Sequence, residues 1–121
     1  MSERVNVAIV GAGARAMEGY CKHFLQMAPP PRFVAIAEPN GVFLDRAMDE
    51  LGLDRDEVRT YDAWEEMLEA EHDLDAAVIG TPNHLHHGPA VTLLERGVPL
   101  VLEKPMAVSE EECYDIHRLA V

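Results

Sequence analysis

Apolar runs too short to be helices and longer stretches with one apolar face take turns along the chain. Val5 to Val10 (Val-Asn-Val-Ala-Ile-Val) is a β-rich run, followed by a cluster of small residues and a helical pattern from Arg15 to Met27. Pro29-Pro30-Pro31 ends that helix, since proline supplies no N–H and holds the preceding residue extended. Phe33 to Ala37 reads as a second strand. Phe43, Leu44, Ala47, Met48 and Leu51 share one face of a second helix, which Gly52 stops. Val58 to Tyr61 is a short third strand, after which Asp62 and Glu65 have the spacing of a capping box for a helix through Trp64, Met67 and Leu68. Leu74 to Gly80 is a fourth strand. Its run Ala76-Ala77-Val78-Ile79 does not alternate, which suits a central parallel strand covered on both faces. A helix from Gly88 to Arg96, stopped by Gly97, leads to a fifth strand at Val98 to Leu102. Ser109 then caps a last helix with Glu110, Glu111 and Glu112 in its first turn, where the helix dipole favours negative charge.

Five strand-then-helix alternations predict a doubly wound parallel α/β sheet, one domain over residues 1–121, with strand order 3-2-1-4-5. Ligands bind such sheets outside the carboxyl ends of the strands, beside the first. The polar and glycine-rich segments fall at those ends.

Gly11-Ala12-Gly13-Ala14-Arg15-Ala16 has the G-x-G-x-x-A form, directly after a strand and opening a helix. Gly11 permits the tight turn, Gly13 lets backbone approach a pyrophosphate, and a small third residue allows close packing of helix on sheet. The free N–H groups of the helix start, with Ala14 and Arg15 in the loop, then face the phosphates. Methyltransferases carry the same pattern. Glu38 narrows it, lying 22 residues beyond Ala16 at the end of the second strand, where a carboxylate accepts hydrogen bonds from the adenosine ribose. Against a 2′-phosphate it would be a like charge, costing roughly 4 kcal/mol per charge pair at about 4 Å and an effective dielectric near 20. NAD is therefore expected rather than NADP, and Glu38→Ala is expected to weaken NADH while favouring NADPH.

After the fourth strand come Thr81-Pro82-Asn83-His84-Leu85-His86-His87. Thr81 and Asn83 offer hydrogen bonds to ribose or pyrophosphate, and Pro82 fixes the chain direction. The three histidines lack the i, i+4 spacing of helix-borne metal ligands and have no acidic or cysteine partner nearby, so no metal is expected. Glu103-Lys104-Pro105 follows the fifth strand. Burying Glu and Lys there costs several kcal/mol each unless they pair, and a crevice lysine is a candidate acid or base. The plainer reading is a strand-end salt bridge with Lys104 in solvent.

The chain has 22 acidic and 10 basic residues, a formal net charge of −12. Such a surface repels phosphate backbones and anionic lipid heads, so neither nucleic acid nor membrane is an expected partner. No apolar stretch nears the roughly 20 residues of a spanning helix, and the start lacks the order of a secretory signal. Cys21 and Cys113 are expected to be free thiols in a reducing, cytoplasmic compartment.

Together the glycine loop, Ala37-Glu38-Pro39-Asn40, Thr81-Pro82-Asn83-His84-Leu85-His86 and Glu103-Lys104-Pro105 resemble the N-terminal NAD(P)-binding domain of the Gfo/Idh/MocA oxidoreductases. That family oxidises or reduces hydroxyl and keto groups of sugars, inositols and related polyols with a nicotinamide cofactor. The resemblance implies that Lys104 lies beside nicotinamide and substrate as the catalytic residue. It implies that Thr81, Pro82, Asn83 and His86 line the cofactor cleft, that Glu103 and Pro105 shape the lysine's backbone, and that Gly11, Gly13, Ala14, Arg15 and Glu38 hold the ADP half. Leu102 stands where members often have a small residue or cysteine. Family enzymes continue into a C-terminal substrate domain bearing a catalytic histidine. Nothing in these 121 residues matches it, His117 being wrongly placed, so the chain alone is expected to bind cofactor without turnover.

Two other readings compete. One is a stand-alone dinucleotide-sensing module. The other is a methyltransferase holding S-adenosylmethionine, against which Glu103-Lys104-Pro105 argues, since methyl transfer gives it no evident role. An uncovered edge of the fifth strand would favour a homo-oligomer.

Overall fold

The computed structural model describes residues 4–13, 16–104 and 106–121. Its five strands are β1 (Asn6–Val10), β2 (Arg32–Ala37), β3 (Arg59–Tyr61), β4 (Ala76–Ile79) and β5 (Leu100–Leu102). They form one sheet in the order β3-β2-β1-β4-β5, every pairing parallel. This is the predicted topology.

Successive residues of β1 feed two separate cores, which is why its apolar run shows no polar alternation. Val7 and Ile9 pack with Phe33, Ile36, Met48 and Val78 on one face of the sheet. Ala8 and Val10 pack with Ala35, Met67, Ile79 and Leu93 on the other. Helices cover both faces: α1 (Lys22–Phe24), α2 (Gly41–Glu50), α3 (Trp64–Ala70), α4 (His87–Glu95) and α5 (Glu110–Ala120).

Three local expectations change. The first helix is not regular: a π-helical turn over Met17–Cys21 precedes α1, which ends at Phe24 rather than Met27. The amides of Gln26 and Met27 fall back on the carbonyls of His23 and Phe24, a tightened turn before the prolines. The second helix begins two residues earlier than its apolar face, because the Asn40 side chain accepts from the amides of Val42 and Phe43 at 2.9 and 3.2 Å. Asp62 does not cap α3. Tyr61 still accepts a hydrogen bond from the Glu38 amide, the chain stays extended through Ala63, and Ala63 becomes the N-cap with no side-chain bond. Ser109 does cap its helix, accepting from the Glu112 amide at 3.2 Å.

Candidate cofactor site

The carboxyl ends of β1, β2, β3 and β4 enclose a crevice of about 710 Å³. Gly11 and Gly13 form its floor, Glu38 and Phe43 one side, Asp62 and Trp64 a second, and Thr81 and Pro82 a third. Ala14, Arg15, Pro105 and the Asn83 side chain lie outside the described residues, so their expected roles are not placed.

The glycine loop is held by contacts that leave no room for a side chain. Gly11 has φ +83°, and a Cβ on it would come within 2.5 Å of the Thr81 backbone nitrogen. One on Gly13 would meet the Gly80 carbonyl at 2.8 Å. Gly80 itself faces Ala16 and the Gly11 carbonyl, both nearer than 3 Å to any added Cβ. The small residues of the motif therefore seat the loop against the exit of β4. Sequence reading missed Gly80, although a glycine closing a buried strand opposite a G-x-G loop is the signal for it.

Glu38 is 8% exposed, and both its oxygens are engaged. Oε1 accepts from the Ala12 amide at 2.7 Å and Oε2 from the Asn40 amide at 2.9 Å. The carbonyl of Ala12 in turn accepts from Arg46 at 3.4 Å, and the Arg46 guanidinium lies 4.9 Å from the centre of the Phe43 ring. The middle residue of the loop is thus gripped at both peptide groups by charged side chains of the β2–α2 segment.

His86 does not line the crevice. It is fully buried, with Nε2 3.0 Å from the Thr81 carbonyl, so it braces the turn from beneath. Glu103 and Lys104 part company. Glu103 is buried, with Oε1 accepting from the Lys104 amide at 3.2 Å, while the Lys104 side chain stands exposed and makes no ion pair with it. The buried pair allowed for in the sequence is replaced by a buried carboxylate beside a solvated lysine.

Two buried oxygens at neighbouring strand exits have no partner among the described residues: Thr81 Oγ1 after β4 and Glu103 Oε2 after β5. Unpaired buried polar atoms are uncommon, and of these two Thr81 stands on the crevice wall. With small residues at Gly11 and Gly13, Glu38 on the β2 side of the loop and the Thr81 hydroxyl on the β4 side, the crevice fits a dinucleotide laid across the strand ends. A family model described as the oxidoreductase family with an NAD-binding Rossmann fold matches residues 5–121. The chain belongs to the Gfo/Idh/MocA oxidoreductases.

Within that family, the chain is 33% identical over 117 residues to a glycosyl hydrolase family 109 protein of Shewanella woodyi, covering 93% of this chain and 24% of that protein. It is 28% identical over 112 residues to the scyllo-inositol 2-dehydrogenase (NAD(+)) of Bacillus subtilis, covering 93% and 31%. Among solved structures, a biliverdin reductase from Synechocystis bound to biliverdin and NADP+ superposes with a TM-score of 0.78 at 26% identity, over 96% of this chain and 34% of that one. The chain spans about a quarter to a third of the length of the curated relatives it matches. As a Gfo/Idh/MocA member it carries that family's NAD-binding Rossmann fold.

Proposed function

We propose that this chain holds the nicotinamide cofactor of an oxidoreductase acting on CH–OH groups of sugars, inositols or related polyols, with NAD used in preference to NADP. The observation that carries the proposal is the glycine loop, packed too tightly at Gly11 and Gly13 for any side chain, beside Thr81 Oγ1, a buried oxygen with no partner among the described residues. NAD(P), when bound, supplies the hydride acceptor or donor. The loop meets its phosphates through the Gly13 amide and the helix start, the Gly11 amide being bonded to the Ala37 carbonyl at 2.8 Å. Glu38 orders that loop and turns its carboxylate to the adenosine side. Thr81 and Pro82, braced by His86, bound the middle of the crevice. Glu103 takes a ribose hydroxyl, and Lys104, exposed where β5 ends, is the residue that meets substrate. A cytoplasmic setting suits the two free cysteines, and the open β5 edge suits pairing of two copies.

Calorimetric titration tests the reading. NADH is expected to bind with measurable heat and S-adenosylmethionine not to bind. Heat with S-adenosylmethionine and none with either nicotinamide cofactor would overturn it.

A further inference from the structure

We propose that Arg46 is a positioning residue of the cofactor site: by holding the Ala12 carbonyl it aims the Gly13 amide at the cofactor's phosphates. The proposal rests on the cofactor reading above and adds a residue outside the glycine motif, one that is not among the described residues lining the crevice.

A trans peptide is planar, so its C=O and N–H point in opposite directions. The loop obeys this twice, both peptides being trans. In the first, the Ala12 amide donates to Glu38 Oε1 at 2.7 Å on the β2 side, and the Gly11 carbonyl accordingly faces β4, where a Cβ on Gly80 would meet it at 2.7 Å. In the second, the Ala12 carbonyl accepts from Arg46 at 3.4 Å on the α2 side, which turns the Gly13 N–H away from α2 and to the crevice that Gly13 lines. Glycine at position 13 makes a flip of that peptide cheap, so the orientation needs a tie from outside the loop.

Arg46 is held in its turn. Glu38 Oε2 accepts from the Asn40 amide at 2.9 Å, and the Asn40 side chain starts α2 by accepting from the amides of Val42 and Phe43. Phe43 and Arg46 are i, i+3 neighbours on that helix, with the guanidinium 4.9 Å from the ring centre. Contacts therefore run in a closed ring from Ala12 through Glu38, Asn40 and α2 back to Ala12. A donor ordered before the cofactor arrives spares the cost of ordering it on binding.

Trp64, the chain's one tryptophan, lines the crevice and reports on its occupancy. Its fluorescence is titrated with NADH, and with adenosine, which has no phosphate, in the wild type, Arg46→Met and Arg46→Gln. Both variants remove the bond to Ala12, and Arg46→Met keeps the apolar stem. Each is expected to weaken NADH by about tenfold, the size of one charge-assisted hydrogen bond, and to leave adenosine within about twofold. The loss of NADH affinity is expected to keep its size between about 10 and 150 mM salt, because the bond it removes lies within the protein. A loss that shrinks several-fold with added salt shows Arg46 meeting the phosphates directly and overturns the proposal. Equal weakening of NADH and adenosine, with a lowered melting temperature, shows a residue that only supports the fold and overturns it as well, as does unchanged NADH affinity. Failure of the wild type to bind NADH removes the cofactor reading, and the proposal with it.

Discussion

Glu71 carries the densest side-chain bonding among the described residues, and it lies away from the crevice. It is buried at the end of α3, takes two hydrogen bonds from Arg59 and accepts another from the Tyr61 hydroxyl at 2.6 Å. The Arg59 bonds hold its carboxyl below the usual range against the opposing effect of burial, and the same carboxylate raises both Arg59 and Tyr61. A carboxyl lowered in the folded state contributes stability that is complete above its unfolded pKa, near 4.3, and drains away as pH falls through the lower folded value. Glu71→Gln is therefore expected to lower stability by roughly 1–3 kcal/mol at pH 7. The gap to the wild type should narrow below about pH 4, which paired denaturant melts at several pH values will show. None of this cluster was legible in the sequence, because Arg59, Tyr61 and Glu71 meet only once α3 folds back on β3. Glu38 was legible, since its distance from the glycine motif is fixed by one helix and one strand. Its bonds to Ala12 and Asn40 were not, because spacing names a residue without saying which way it faces.

Elements were read best where burial dictates them. The apolar run of β4 could sit only in a sheet covered on both faces, and it does. Ends were read worse. Asp62 has the sequence of a cap, yet a strand partner keeps the chain extended one residue longer, so a pairing two elements away overrides a local preference. The glycine loop and the exit of β4 behave as a single packed unit. Gly80→Ala forces a Cβ against Ala16 Cβ at 2.5 Å and the Gly11 carbonyl at 2.7 Å. Because part of the obstruction is backbone, it cannot be relieved by a rotamer change. The substitution is expected to cost about 1–3 kcal/mol of stability and to abolish measurable NADH binding. Gly19→Ala, where an added Cβ meets nothing within 4 Å, is the control that should leave binding intact. Thermal melts and NADH titrations of the two variants make the comparison.

At the scale of the whole molecule, topology followed from order alone: five alternations, right-handed crossovers and no hairpin signals leave few arrangements. Charge acts at this scale too. A net charge of −12 repels an anionic dinucleotide over distances that salt screens, whereas amide contacts at the loop are short-ranged and hardly screened. NADH affinity is expected to improve by about twofold from 10 to 150 mM salt, the reverse of a site built on lysines and arginines. Titrations at the two ionic strengths decide the sign.

The crevice draws its walls from residues 10–13, 37–43, 62–65 and 80–85, the ends of four strands that local contacts cannot bring together. No sub-fragment or partly folded form contains it. Ligand therefore recognises only the globally folded state, and occupancy is coupled to the stability of the entire sheet rather than to one loop. Amides as remote as those of β1 and β4 should then exchange more slowly when the crevice is filled, wherever their exchange proceeds through global unfolding.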